Sequence, residues 1–431
     1  MPKITTVETL RHPEHRLLLW VRIGCDAGLT GLGETFHAPD AVECIIHGVL
    51  AEILLGQDPT RIELLWHHMF KTLHYAGHAG AELRAISAVD IALWDLLGKL
   101  TDQPLYVLLG GACRDRIPTY NTCASFGPYR DYERFQDEPG ALARELRDSG
   151  IRAMKIWPFD VLAVDSLGQR ITPAQLERGV SRLAAIRQAV GDDMEVAIEG
   201  HCQWNLPSAI RIAQALEPYR PMWLEELMPP DNAEATRALR AATRTPLVTS
   251  ERLMTRFGFR PVIEGLAADI LMLDLDWAGG LTEARKIAAL GTTYQLPIAP
   301  HNPGGPVSHL TTAHFCASVY PLFLMESVRA FYLTWFPEVL TANLVPVDGA
   351  FPLPPGPGLG TELRPEFLAD PAIVRRVSSQ AVSSLTGYAV GDPYRGGNPW
   401  RRRSGSASAA PEAVPAGGPA SRPGLDDDKA P

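Results

Sequence analysis

A near-regular series of short apolar runs, each carrying or ending in a residue able to do polar chemistry, limits what this chain can fold into more than any other feature. Met154 begins a run carrying Lys155, Val196-Ala197-Ile198 ends at Glu199, Met222-Trp223-Leu224 at Glu225, and Leu247 to Ser250 at Glu251. Ile270 to Leu273 ends at Asp274, Leu296 to Pro300 at His301, and Leu322 to Met325 at Glu326. From Glu199 onward these ends recur every 23 to 27 residues. That is the length of one strand, loop and helix, and stretches between the runs, such as Leu206 to Leu216 and Thr282 to Leu290, carry helical spacing. With Ile117 to Ala124 as an opening strand the count reaches eight, the number that closes a parallel barrel with its active site at the C-terminal strand ends. The polar end residues then converge on one mouth.

The flanks read differently. Residues 1 to 115 mix a strand candidate at Leu17 to Ile23, a Gly-rich turn at Gly28 to Glu34, and a helix from Ala81. In that helix Ile86, Val89, Leu93 and Leu97 recur at three- and four-residue steps, and Gly98 followed by Pro104 closes it. This block has the texture of an α+β domain. The barrel runs over residues 116–345, and the text turns rich in proline and glycine after Pro346. Residues 396–431 are low in complexity and read as a disordered tail, with Arg401-Arg402-Arg403 as solvated linker charge. A chain of 431 residues that is 46% apolar and 21% charged is large enough for one barrel and a smaller companion.

A formal net charge of -9 gives no basic stripe for a polyanion, so nucleic acid is excluded as a partner. The six cysteines include no C-x-x-C pair, which argues against a disulfide framework and a zinc cluster and fits reduced thiols in the cytoplasm. The first residues, Met-Pro-Lys-Ile-Thr-Thr-Val, lack the basic and apolar regions of a signal peptide, and no apolar run reaches transmembrane length. A cytoplasmic protein with no membrane partner is the expectation.

The end residues carry the chemistry. Glu199, Glu225 and Glu251 close three successive strand candidates, side by side, and three carboxylates with open positions for water or substrate suit Mg²⁺. Asp274 and His301 close the next two, so the aspartate can fix the imidazole tautomer in a general-base pair. His201, two residues past Glu199, faces the same mouth if the strand stays extended there. Lys155 supplies a positive charge for a substrate carboxylate or a developing enediolate. Glu326 is a candidate hydrogen-bond donor to that enediolate if burial keeps it protonated, with structural support of the mouth as the other role open to it.

Together, Ser87-Ala88-Val89-Asp90-Ile91-Ala92-Leu93-Trp94-Asp95, Trp223-Leu224-Glu225-Glu226, Ser250-Glu251-Arg252, Ala278-Gly279-Gly280 and Ala299-Pro300-His301 resemble the enolase superfamily, in its mandelate racemase branch, and most closely its galactonate dehydratase-like members. The resemblance spans nearly all of residues 1 to 365. It implies an α/β fold, a modified (β/α)₈ TIM barrel with an α+β capping domain built from the N-terminal block and a returning segment at 346–395. It also implies Mg²⁺ on Glu199, Glu225 and Glu251, and Asp274 with His301 as the base. By position, the loops at Gly31 to Pro39 and Thr72 to Gly80 would contact substrate through His37, Tyr75 and His78. Branch members often carry Lys-x-Lys on the second barrel strand, whereas this chain reads Lys155-Ile156-Trp157. Trp157 becomes a candidate substrate contact that cannot exchange a proton.

Racemisation through an enediolate generally needs an acid-base group on each face of the α-carbon, so the missing lysine favours dehydration. His301 would take the α-proton and His201 would protonate the departing β-hydroxyl of an aldonate or aldarate, giving a 2-keto-3-deoxy sugar acid. The alternatives are a racemase or epimerase in which His201 replaces the lysine, and a noncatalytic sugar-acid binding protein. The expected partner is a small-molecule carboxylate substrate, and the resemblance implies a homo-oligomer.

Overall fold

β-Branched and aromatic residues crowd three runs near the N-terminus. They form β1 (Ile4–Arg11), β2 (Leu18–Cys25) and β3 (Thr30–Phe36), paired antiparallel in that order. The computed structural model describes residues 1–75 and 77–379, all within one structural unit. Helix α1 (Ala81–Thr101) packs on this sheet and buries Ile86, Val89 and Leu93, the residues whose spacing announced it. The Gly-rich turn expected at Gly28 to Glu34 is mostly strand. A Cβ on Gly31 would stand 2.0 Å from the Ala92 carbonyl oxygen, and one on Gly33 2.0 Å from that of Ala88. These glycines let sheet and helix touch rather than turn the chain. Likewise α1 runs through Gly98 and stops at Asp102, whose φ of 52° ends it. A Cβ at Gly98 would lie 2.4 Å from Gly358 Cα, so that glycine admits a second backbone segment.

The apolar runs become a parallel ring. Its members are β4 (Arg116–Thr122), β5 (Ala153–Ile156), β6 (Glu195–Glu199), β7 (Trp223–Glu225), β8 (Leu247–Thr249), β9 (Ile270–Leu271) and β10 (Met325–Ser327). β4 through β9 pair in sequence order and β10 pairs with β4. Between β9 and β10, single parallel bridges from Ile298 to Leu271 and Leu322, and from Asp274 to His301, hold the seventh position. Eight strand positions close the circle, a modified (β/α)₈ barrel. β11 (Ala350–Pro352) then runs antiparallel on β4, and β12 (Val374–Ser379) antiparallel on β1. The chain after Pro346 therefore touches the barrel before it reaches the N-terminal sheet. The tail expected at 396–431 lies outside the described residues. No helix among those described is long and apolar enough to cross a membrane.

Side chains two apart on a strand face one way. Ala153, Ala197, Trp223, Met272 and Ala299 stand two residues before Lys155, Glu199, Glu225, Asp274 and His301, and they form one buried cluster with Tyr120. That cluster floors the barrel, and the polar residues sit on top of it.

Candidate active site

Registry brings the first carboxylates together. Glu199 is the Cα partner of Glu225 across β6 and β7, Glu225 is opposite Val248 on β8, and Glu251 follows two residues beyond that strand. All three side chains are buried. Lys155, only 3% exposed, reaches the same place from β5, with Nζ 2.6 Å from Glu225 Oε1, 3.0 Å from Glu326 Oε1 and 3.5 Å from Glu199 Oε2. Glu199 Oε1 also accepts from the backbone N–H groups of Gly200 and His201, and Glu225 Oε2 from the Trp223 indole. Glu251 Oε2 is buried with no hydrogen-bond partner.

The carboxylates thus turn toward the nearest cation, the ammonium. Among the described residues no three histidine, cysteine, aspartate or glutamate side chains converge as a ready-made metal cage. The charge balance is nonetheless unfinished. Burial pushes Glu199 up to about 7. Burial, then the charge of Glu199, holds Glu225 well above the usual carboxylate range, and burial, then Glu226 and Glu225, does the same to Glu251. One lysine does not neutralise this group, and an orphaned, hard oxygen donor at Glu251 is what a divalent cation would satisfy. The donor set fits Mg²⁺.

Of the two roles open to Glu326, its surroundings favour support of the mouth. Burial would raise its pKa, but Lys155, His301, the Thr122 hydroxyl and the Asn302 N–H hold it at about 2. An ionised carboxylate cannot donate a hydrogen bond, so Glu326 anchors Lys155 and the His301 loop instead. Lys155 does not line the open cavity and is held among three carboxylates.

Above this layer is a cavity of about 450 Å³ lined by His37, His201, Glu251 and His301 together with Phe36, Arg84, Arg252 and Trp277. His301 Nδ1 is 2.7 Å from Asp274 Oδ2, and Asp274 Oδ1 accepts from the Asp276 N–H at 2.7 Å. Burial lowers His301 to about 3 and raises Asp274, so the ring is neutral; with Nδ1–H given to Asp274, Nε2 is its free nitrogen.

His201 reaches the cavity by a different route from the extended strand expected. β6 ends at Glu199, and His201 and Cys202 adopt φ of 42° and 60°, so the chain turns sharply. Gly200 makes the turn possible, because a Cβ there would stand 2.8 Å from Leu227 Cα. His201 Nδ1 lies 2.6 Å from Asp160 Oδ2, and its ring sits edge-on to Trp157 at 5.7 Å between centroids. Trp157 is thus a wall for His201, packed on Tyr132 and Phe135, rather than a cavity-lining contact.

Of the loop residues, His37 lines the cavity; Tyr75 is 91% exposed and His78 is exposed, and neither lines it. Both follow the end of the helix Ile62–Leu73. Sequence reasoning passed over Asp160, Arg84 and Trp277. Asp160, five residues after Lys155, opens a four-residue helix, Asp160–Ala163, too short to show periodicity, Arg84 lies in the first turn of α1, and Trp277 beyond the end of its run. Arg252, inside the motif Ser250-Glu251-Arg252, had a visible signal; its Nε pairs with Glu226 Oε2 at 2.9 Å.

Two family models match. Residues 3–110 fit the mandelate racemase / muconate lactonizing enzyme N-terminal domain, and residues 139–367 the enolase C-terminal domain-like family. The chain is 33% identical over 390 residues to a D-galactonate dehydratase of Ralstonia pickettii, covering 88% of this chain and 95% of that protein. A D-galactonate dehydratase of Ralstonia nicotianae is 33% identical over 372 residues, covering 84% and 92%. Among solved structures, an enolase of the mandelate racemase subgroup from Agrobacterium tumefaciens superposes with a TM-score of 0.82 at 41% identity, covering 88% of this chain and 99% of that one. A mandelate racemase/muconate lactonizing enzyme-like protein from Rubrobacter xylanophilus gives 0.77 at 34%, covering 85% and 96%.

Proposed function

We propose, from the premise that the chain belongs to the mandelate racemase branch of the enolase superfamily and is most like its galactonate dehydratases, that it is a magnesium-dependent dehydratase of sugar acids. The chain is an enzyme, and hydro-lyase chemistry fits its cavity. The observation that carries the reading is the meeting of two histidines, His301 and His201, in one cavity directly above a buried, undercharged carboxylate layer.

Glu199, Glu225 and Glu251 would hold the cation. When bound, Mg²⁺ supplies Lewis-acid polarisation that makes the proton next to a carboxylate easier to remove. Lys155 adds a buried positive charge beneath the mouth, stabilising the enediolate as it forms. His301 takes the α-proton at Nε2, its Nδ1 steadied by Asp274. His201 gives a proton to the β-hydroxyl, which leaves as water, and the enol becomes a 2-keto-3-deoxy sugar acid.

A screen of hexonates, pentonates and aldarates with Mg²⁺, read as semicarbazones of keto products, tests this. Keto product from at least one acid is the expected outcome. The same two histidines could also serve a 1,1-proton transfer, so the screen is run in D₂O. Deuterium at the α-carbon of inverted substrate, with no keto product, would replace dehydration by epimerisation.

A further inference from the structure

Arg84 brings a charge to the cavity that no hydrogen bond or salt bridge among the described residues answers, Asp274 acting on it only through its charge. It stands at the fourth position of α1, with its guanidinium 4.6 Å above the Trp277 ring, and that ring lies 5.3 Å from the ring of His301. Its Nε is buried without a hydrogen-bond partner, and no salt bridge among the described residues includes it. The nearest candidate, Asp274, has both oxygens engaged, one by His301 and one by the Asp276 N–H. Arg252, the other cavity arginine, differs because Glu226 already pairs with it. An arginine stays charged whatever its surroundings, and holding one half-buried without a counter-ion is costly unless an anion arrives.

A sugar acid bound as proposed above places its carboxylate over the Lys155 and glutamate layer, so that anion does not serve Arg84. We infer that Arg84 receives a second anionic group at the far end of the substrate, and that the substrate class is a dianionic sugar acid. This inference rests on the dehydratase reading for the placement of the first carboxylate. A guanidinium offers a planar fork that matches a carboxylate or phosphate bidentately. The ligand is therefore an aldarate or a phosphorylated aldonate, and a cavity of about 450 Å³ is of the size that small-molecule sites have.

The test is titration calorimetry of the Mg²⁺-loaded, full-length protein with matched sets: each hexonate, the hexarate of the same configuration at the shared carbons, and the hexonate 6-phosphate. At least one hexarate or 6-phosphohexonate should bind roughly 10- to 100-fold more tightly than its hexonate, the size of effect expected of a charge-assisted bidentate contact. Arg84→Met should erase that preference, and Arg84→Lys should retain part of it, which separates loss of charge from misfolding. Which dianion wins identifies the anion's source. Equal affinities within every set, or a preference that survives Arg84→Met, overturns the inference. The keto-product assay separates the two readings. Tight dianion binding without keto product removes the dehydratase and leaves the anion subsite standing, whereas keto product from hexonates with no Arg84-dependent preference does the reverse.

Discussion

Two histidines face one cavity, each with an aspartate at Nδ1, and the protein holds them in opposite ways. His301 and Asp274 sit at the ends of adjacent barrel strands joined by a backbone bridge, 2.7 Å apart, with side chains 11% and 1% exposed. His201, from a turn, and Asp160, from the start of a four-residue helix, meet at 2.6 Å, with side chains 38% and 22% exposed. The same pairing therefore occurs once in a dry, rigid setting and once in a wet one. Burial keeps the first ring neutral and ready to accept a proton, and its strand-end mounting fixes where Nε2 stands. The second ring has water at its side, from which a donated proton can be replaced. Under the proposed dehydration, the difference would give abstraction to the dry pair and delivery to the wet one.

The largest effect should come from breaking the dry pair. His301→Asn should abolish both α-deuterium incorporation in D₂O and keto-product formation, with a loss of at least about 10³-fold, near the upper range for removal of a general base. Both readouts should fall together, because nothing downstream proceeds without abstraction. If His301→Asn kept α-exchange while losing keto product, the two roles would be reversed.

The wet pair should fail differently. His201→Asn should lose keto product by about 10²-fold or more, yet still exchange the α-proton in D₂O, since abstraction no longer depends on it. Exchange and dehydration are thus uncoupled by one substitution and not by the other. Asp160→Asn should give a milder version of the same split, a loss of about 10- to 100-fold in dehydration, by analogy with partners that orient metal-binding histidines. A proportional loss of α-exchange in Asp160→Asn would show that this aspartate supports the whole mouth.

The contrast also explains what the sequence could reveal. The dry pair was legible because strand periodicity put Asp274 and His301 at the ends of successive runs, and regular structure converts spacing into position. The barrel and the lateral order of Glu199, Glu225 and Glu251 were legible for the same reason. Side-chain direction was not, which is why the sequence leaves Glu326 between donating as a neutral acid and supporting the mouth, whereas in the fold it is ionised between Lys155 and two donors. Local steric demands were hidden as well: Gly31 and Gly33 read as a turn until the close approach of α1 gave them another purpose. The partner of His201 could not be read at all, because Asp160 comes from a four-residue helix that no repeat announces. Tyr75 and His78 show the opposite case, residue types suited to substrate contact whose exposed side chains do not line the cavity.

The smallest expected effect sharpens the contrast through stability rather than rate. The folded His301 has its pKa lowered by burial from 6.5 to about 3, so below pH 6.5 the unfolded chain binds a proton at this position that the folded protein refuses. Stability from this group is fully present above pH 6.5 and drains away as the pH falls toward 3. Each pH unit in that window costs at most about 1.4 kcal/mol per histidine, so pH 6.5 to 4.5 should cost on the order of 2 kcal/mol. His309 and His314, both buried and lowered to about 4, add to the wild-type slope but are common to every variant compared. Urea unfolding of wild type and His301→Asn across this range isolates the His301 contribution as the pH dependence of their difference. Wild type should lose its margin over the variant on acidification, and the drained stability should return on going back to neutral pH. If the difference stayed flat from pH 6.5 to 4.5, His301 would not be held neutral by its surroundings, and the physical distinction between the two pairs would reduce to their geometry alone.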